Sequence, residues 1–377
     1  KLGMKTIRIL ASLLLGTMVF QSHAQQQLTL SDAIKFALQN KADAKKAGLD
    51  IANAEHKIAE VKSGALPQVN FNGGITYNPM IQKVALPGEI VGQPGTTVMA
   101  AFGQKWQSTN TISLNQQLFN QTVFTGLKAA KTTREFYVIN KTLTDEQLIE
   151  KVANSYYDVY QSKLQLKTVD NNLESTTKTR DVIEGLVKNG LAKKIDLDRT
   201  NVAVTNLKAS RQQLINAVEL KENALKFVIG MSMSEQITMP TSTFETVALD
   251  AIYDPLDVSN RTEIQVLSKQ NELLELNKKA EISKYYPTLS LTANYGRQGL
   301  GPVFPIFSKA QGVNWSGFSG IGLNLTVPIF NGFLTRSKVR QAQIDIDKLQ
   351  IDIADTKLAL NMAAENSRVQ IKNSLLT

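Results

Sequence analysis

The chain has no cysteine in 377 residues. That excludes disulfides, thiolate metal sites, a cysteine nucleophile and lipid attachment through sulfur. Histidine is almost as scarce, with only His23 and His56. Aromatic residues make up 7%, thin for one compact enzyme core. Beyond the N-terminus no window holds 18 consecutive apolar residues, so no later segment reads as a transmembrane helix. What remains is a chain that is soluble outside the cytoplasm or crosses a membrane as β-strands. No Walker A segment is present. Gly317-Phe-Ser-Gly-Ile-Gly322 has the wrong spacing for a dinucleotide fingerprint and opens a strand, not a helix. No catalytic residue, cofactor or metal site is expected. What is there, 42% hydrophobic and 20% charged residues, suits globular or long-helical structure.

Lys1, Leu2 and Gly3 precede Met4. Lys5 and Arg8 form a basic stretch ahead of an apolar run over residues 9–20, too short to span a bilayer. Ser22-His23-Ala24 then places small residues where a signal peptidase cuts, so residues 1–24 read as a secretory signal peptide, with a short anchor as the alternative. His56 would then be the one histidine left. Losing Lys1, Lys5 and Arg8 lowers the formal charge from +9 to +6, which gives no argument for nucleic acid.

Residues 63–78 (SGALPQVNFNGGITYN) are echoed by 283–296 (SKYYPTLSLTANYG), and 112–120 (ISLNQQLFN) by 323–331 (LNLTVPIFN). Each unit reads helix, proline, strand, long loop, strand, Phe-Asn, long helix. An internal two-fold repeat follows, with repeat one over 25–229, a linker over 230–257 and repeat two over 258–377. The four strands alternate with period two. Val69, Phe71, Ile75 and Tyr77 oppose Gln68, Asn70, Asn72 and Thr76. Leu289, Leu291, Ala293 and Tyr295 oppose Thr288, Ser290, Thr292 and Asn294. Ile321, Leu323, Leu325, Val327 and Ile329 oppose Gly322, Asn324 and Thr326. In the second strand Gln116 interrupts Ile112, Leu114 and Leu118. One apolar and one uncharged polar face fits either a soluble sandwich or a lipid-facing barrel with a watery lumen. Aromatic placement favours the barrel. Tyr77 with Trp106, and Tyr295 with Trp315, flank loops expected over 79–108 and 296–318. Phe119 and Phe330 close the opposite ends, as membrane-interface girdles do.

Residues 122–188 contain no proline, and at 1.5 Å per residue would span ~100 Å. Val152, Val159, Leu166 and Leu173 recur every seven residues, beside a companion seam of Ser155, Ser162, Val169, Thr176 and Ile183. Residues 195–229 return with Leu197, Val204, Val218 and Leu225. Residues 333–377 repeat the design with Val339, Ala342, Ile346, Leu349, Ile353, Thr356, Leu360 and Ala363. A hairpin turn over 188–197 joins the first pair: Gly190 suits a left-handed helix end, and Asp196 suits a helix start. Taken alone, the turn reads as an ordinary coiled-coil turn. His56, between Glu55 and Lys57, reads as a solvated surface residue. Asp345, Asp347, Asp352 and Asp355 read as a helix face rather than a metal site.

The segment Leu28-Thr-Leu-Ser-Asp-Ala-Ile-Lys-Phe-Ala-Leu-Gln-Asn40, the Ala65-Leu66-Pro67 strand entry, Pro328-Ile329-Phe330-Asn331-Gly332, and the tip Gly185 to Leu191 followed by Asp196-Leu197 together resemble the TolC-like outer-membrane efflux proteins (outer membrane factors). The resemblance covers nearly all of the chain after the leader. It implies a mixed α/β membrane protein: a long α-helical coiled-coil barrel plus four amphipathic β-strands contributed to a trimeric β-barrel. It implies a passive exit duct of a tripartite efflux or type I secretion system, not an enzyme, in the outer membrane of a Gram-negative-type cell and extending into the periplasm. The implied partners are two further copies, outer-membrane lipid, a periplasmic adaptor (membrane fusion protein) and an inner-membrane RND or ABC transporter. The adaptor-docking tip it implies is Lys188, Asn189, Gly190, Leu191, Ala192 and Asp196. Against the family pattern, repeat two lacks about 23 residues of outgoing helix and its return helix, so the sequence reads as C-terminally truncated. The alternative is a periplasmic coiled-coil adaptor or tether, which would carry one hairpin rather than duplicated strand pairs.

Overall fold

The structure, a computed structural model, describes residues 27–240, 257–305 and 312–376. The expected signal peptide and most of the linker lie outside the described residues. In chain order the elements are α1 (Leu30–Asn40), α2 (Ala42–Ser63), β1 (Gln68–Tyr77), β2 (Lys83–Pro87), β3 (Thr97–Ala101), β4 (Trp106–Phe119), α3 (Gln121–Lys188), α4 (Lys194–Ile229), α5 (Thr262–Ser283), β5 (Thr288–Gly301), β6 (Asn314–Thr326) and α6 (Leu334–Leu376). The order α2, β1, β4, α3 is thus met again as α5, β5, β6, α6. The described residues divide into two compact units, one of 27–48 and 141–240, the other of 49–140, 257–305 and 312–376.

The first unit is helical. Thr29 starts α1 by accepting the Asp32 N–H at 3.1 Å and donating to the Asp32 carboxylate at 2.6 Å, which satisfies one of the four donors a helix start leaves free. Ala33 and Ala37 of α1 are fully buried against Val152, Tyr156, Val159, Leu225 and Ile229; side chains this small let helices approach closely. The heptad seam lies where the spacing puts it. Val152, Val159 and Ser162 of α3 and Val204, Val218 and Leu225 of α4 are buried, while Leu166, Val169, Leu173 and Thr176 are half-buried. Tyr156 lies outside the expected seam yet is 1% exposed. Its hydroxyl donates to the Leu28 carbonyl at 3.1 Å, and burial pushes its pKa up. Arg211 interrupts the α4 seam and is held by Asp170 at 2.6 Å.

In the second unit α5 and α6 pack through Ile264, Leu276, Ala342, Ile346 and Leu349. Ala363, expected in this seam, is instead exposed. Thr125 of α3 meets Ser283 of α5 in a buried hydroxyl pair at 3.0 Å. Four strands form one antiparallel sheet in the order β1-β4-β5-β6, and β2 pairs with β3 as a separate hairpin. That hairpin occupies the loop expected over 79–108. The second connection is shorter than expected, because β5 runs on to Gly301 and β6 begins at Asn314. Tyr295 therefore does not flank a loop; it lies six residues inside β5. Glycines made this stretch read as loop, but they serve the strand. A Cβ on Gly296 would lie 2.4 Å from Phe318 Cζ, and one on Gly299 2.9 Å from the Trp315 ring. The bare backbone lets both rings lie flat across the neighbouring strand. The interruption in β4 persists, with Gln116 opposite Leu291 on the apolar face, and a bulge follows it between Gln117 and Phe119. The extra residue sets Phe119, not Leu118, opposite Leu289.

Candidate functional site

Two regions carry the expected site residues, one in each unit. At the end of α3, the Gly190 N–H donates to the Val187 carbonyl at 3.0 Å and the Leu191 N–H to the Leu186 carbonyl at 2.8 Å. Gly190 has φ +74°. This is a Schellman ending, with Leu191 and Leu186 at the two positions that commonly form its apolar contact. The Asn189 side-chain amide donates to the Gly185 carbonyl at 2.8 Å. Lys188 pairs with Glu184 at 2.8 Å and holds that carboxyl below its ordinary range. Ala192 is half-buried, and Asp196 lies in the first turn of α4, where its charge favours the helix dipole. The turn thus brings the six expected tip residues together. It also exposes apolar side chains: Leu191 is 75% exposed, with Leu186 and Ile195 beside it in the turn. Ile195 escaped sequence reading because a single apolar residue at a helix start carries no periodic signal.

The second region is the four-stranded sheet. Register places Tyr77 opposite Trp106, with ring centroids 4.6 Å apart. Phe304, not foreseen, adds an edge-on contact to Trp106 at 4.7 Å. Trp315 stands opposite Gly299, and Tyr295 faces outward two rows away. At the other end Phe119 lies near Phe124 at 6.4 Å and Phe330 near Phe333 at 5.5 Å. Between these ends the apolar face is uncovered. Ile321 is 83% exposed and Phe71, Val69, Leu323 and Leu325 are all exposed. A sandwich would bury this face under a second sheet; among the described residues the only other strands are β2 and β3, paired with each other. The opposite face carries mainly Asn, Gln, Thr and Ser, with Phe318 and Leu300 among them. β1 and β6 are the sheet's edges.

Among the described residues no group of three or more His, Asp or Glu could hold a metal ion, and no helix is long and apolar enough to cross a membrane.

A family model described as outer membrane efflux protein matches residues 33–231. Outer membrane protein TolC of Salmonella enteritidis is 22% identical over 337 residues, an alignment covering 85% of this chain and 63% of that protein. The chain thus spans under two thirds of that relative's length. Among solved structures, the CmeC outer membrane channel of Campylobacter jejuni superposes with a TM-score of 0.68 at 15% identity, over 92% of this chain and 73% of that one. VceC of Vibrio cholerae gives 0.67 at 16%, over 88% and 75%.

Proposed function

Because the chain belongs to the outer membrane efflux protein family, we propose that it is the outer-membrane channel subunit of a tripartite efflux or type I secretion system. In this reading three copies form a passive duct that opens when a periplasmic adaptor docks together with an inner-membrane RND or ABC transporter. The observation that carries the reading is the sheet. Its outward face is apolar, exposed and bounded by aromatics, as a lipid-facing wall is. Its edges also match. Three successive antiparallel pairings leave β1 and β6 running in opposite directions, so β6 of one copy can pair antiparallel with β1 of the next. A head-to-tail contact of this kind closes into a ring. Three copies would supply twelve strands and abolish the exposed edges that otherwise invite aggregation.

The tip residues Lys188, Asn189, Gly190, Leu191, Ala192 and Asp196 are the proposed adaptor contact, with Leu186 and Ile195 enlarging it. An exposed apolar cluster on a rigid, hydrogen-bonded turn is what a docking helix can cover. The reading is tested by fractionation with cross-linking. Since no native cysteine interferes, one cysteine on β1 and one on β6 report edge pairing between copies. Recovery in the outer membrane, with disulfide-linked species ending at three copies, is expected. A soluble, uncross-linked monomer would sink the reading.

A further inference from the structure

The four strands of the sheet contain one charged residue, Arg297. Its place is unusual. By alternation and register it lies on the apolar face, in the row Gly73, Asn110, Arg297, Gly317, directly loopward of Tyr295. A lipid-facing arginine costs ~2–4 kcal/mol at mid-membrane but ~0–1 near the interface, so its position fixes a depth. From Gly317 to Thr326 along β6 are nine residue steps, ~30 Å of strand or ~23 Å of height at a 40° tilt, close to the ~25 Å of a barrel's apolar band. Arg297 thus stands at one edge of the band. β5 enters from helix α5 and leaves toward the connecting loop, so that edge is the one facing away from the helices.

Two further features point to a missing acceptor. No carboxylate pairs with Arg297 among the described residues; its guanidinium instead lies 5.8 Å from the Trp315 ring centroid. The Trp315 indole N–H is itself buried without a hydrogen-bond partner. The rest of the row is low: Gly73 and Gly317 have no side chain, and a Cβ on Gly317 would meet nothing closer than 3.8 Å. An arginine fork beside open space suits a bidentate phosphate.

We propose that Arg297 binds the phosphate of an outer-leaflet glycolipid headgroup and so locks the barrel at its depth. The proposal rests on the barrel reading above. The test uses the purified protein in detergent, lipid A as the probe, and native mass spectrometry. Bound lipid A should fall about tenfold in Arg297→Gln, as loss of a charge-assisted hydrogen bond implies, and less in Arg297→Lys, which keeps the charge but not the fork. Inorganic phosphate should not displace it. Equal lipid A binding by wild type and Arg297→Gln would overturn the proposal, as would displacement by inorganic phosphate, which would mark a free-anion site. Quenching of Trp106 and Trp315 fluorescence by brominated lipids in vesicles is read alongside. Quenching with unchanged lipid A binding removes the phosphate site alone. Absence of quenching removes the barrel reading and the phosphate site with it.

Discussion

Gly190 shows how one residue joins chain geometry to the proposed docking surface. A Cβ there would meet nothing within 4 Å, yet φ is +74°. The cost of a side chain is therefore backbone strain alone, ~1 kcal/mol for Gly190→Ala. That variant is expected to fold and to lose tip geometry more than stability, seen as weaker adaptor binding with a small drop in Tm. Leu191 is 75% exposed, so Leu191→Asp costs the fold little and places a charge in the proposed contact. Export is expected to stop while the trimer persists on native gels; unimpaired export would remove Leu191 from the docking site. Gly190 was legible in the sequence as a helix end, because a glycine after a periodic helix carries a mechanism of its own; Leu191 was singled out only through the family resemblance. That Leu191 projects into solvent was not legible, since exposure depends on the path of both helices.

At the scale of elements, β5 teaches the most. Gly299→Val should push the Trp315 ring off the strand and weaken β5–β6 pairing, and Trp315→Ala should restore it. A double-mutant cycle in urea checks this; additive effects would separate the glycine from the ring. Between α3 and α5, Lys269 lies 2.7 Å from Glu135 and 2.9 Å from Glu272. Its hydrogen bond holds the Glu272 carboxyl below its ordinary range, while the bonds to Glu135 and Glu272 raise Lys269. The depressed carboxyl stabilises above its unfolded pKa of ~4.3 and loses that contribution as pH falls through the folded value. The raised amine stabilises below its unfolded pKa of ~10.4 and loses its contribution as pH rises through its folded value. Lys269→Met should thus differ from wild type between these limits, by a small amount since these side chains are largely solvated, and converge with it in acid. Amide exchange of α5 across pH measures this.

For the whole molecule, the two faces of the sheet make opposite demands. Ile321 is 83% exposed on the apolar face; Ile321→Lys should cost ~2–4 kcal/mol in a bilayer and lower the amount of assembled trimer. Asn324 lies on the opposite face, paired with Ser290, and Asn324→Lys should assemble normally and alter only conductance. Equal assembly of the two variants would mean that the apolar face does not meet lipid. The same contrast is invisible in a soluble fold, where Ile321→Lys would merely decorate a surface.

The sequence by itself determined the long helices, their heptad seams, the turn at Gly190 and the two faces of β1, β6 and the first part of β5. These follow from periodicities of seven, 3.6 and two, which are local properties of the chain. It also carried enough family pattern to name the fold. Only the tertiary structure decided that β4 pairs with β5, that glycines 296 and 299 belong to a strand, that Phe119 reaches the apolar face through a bulge, and that Arg297 stands there alone. Each depends on what lies across the sheet, on a strand far away in sequence. A glycine reads as a break until the ring that needs its space is in place. An arginine reads as solvated until register puts it between Asn110 and Gly317.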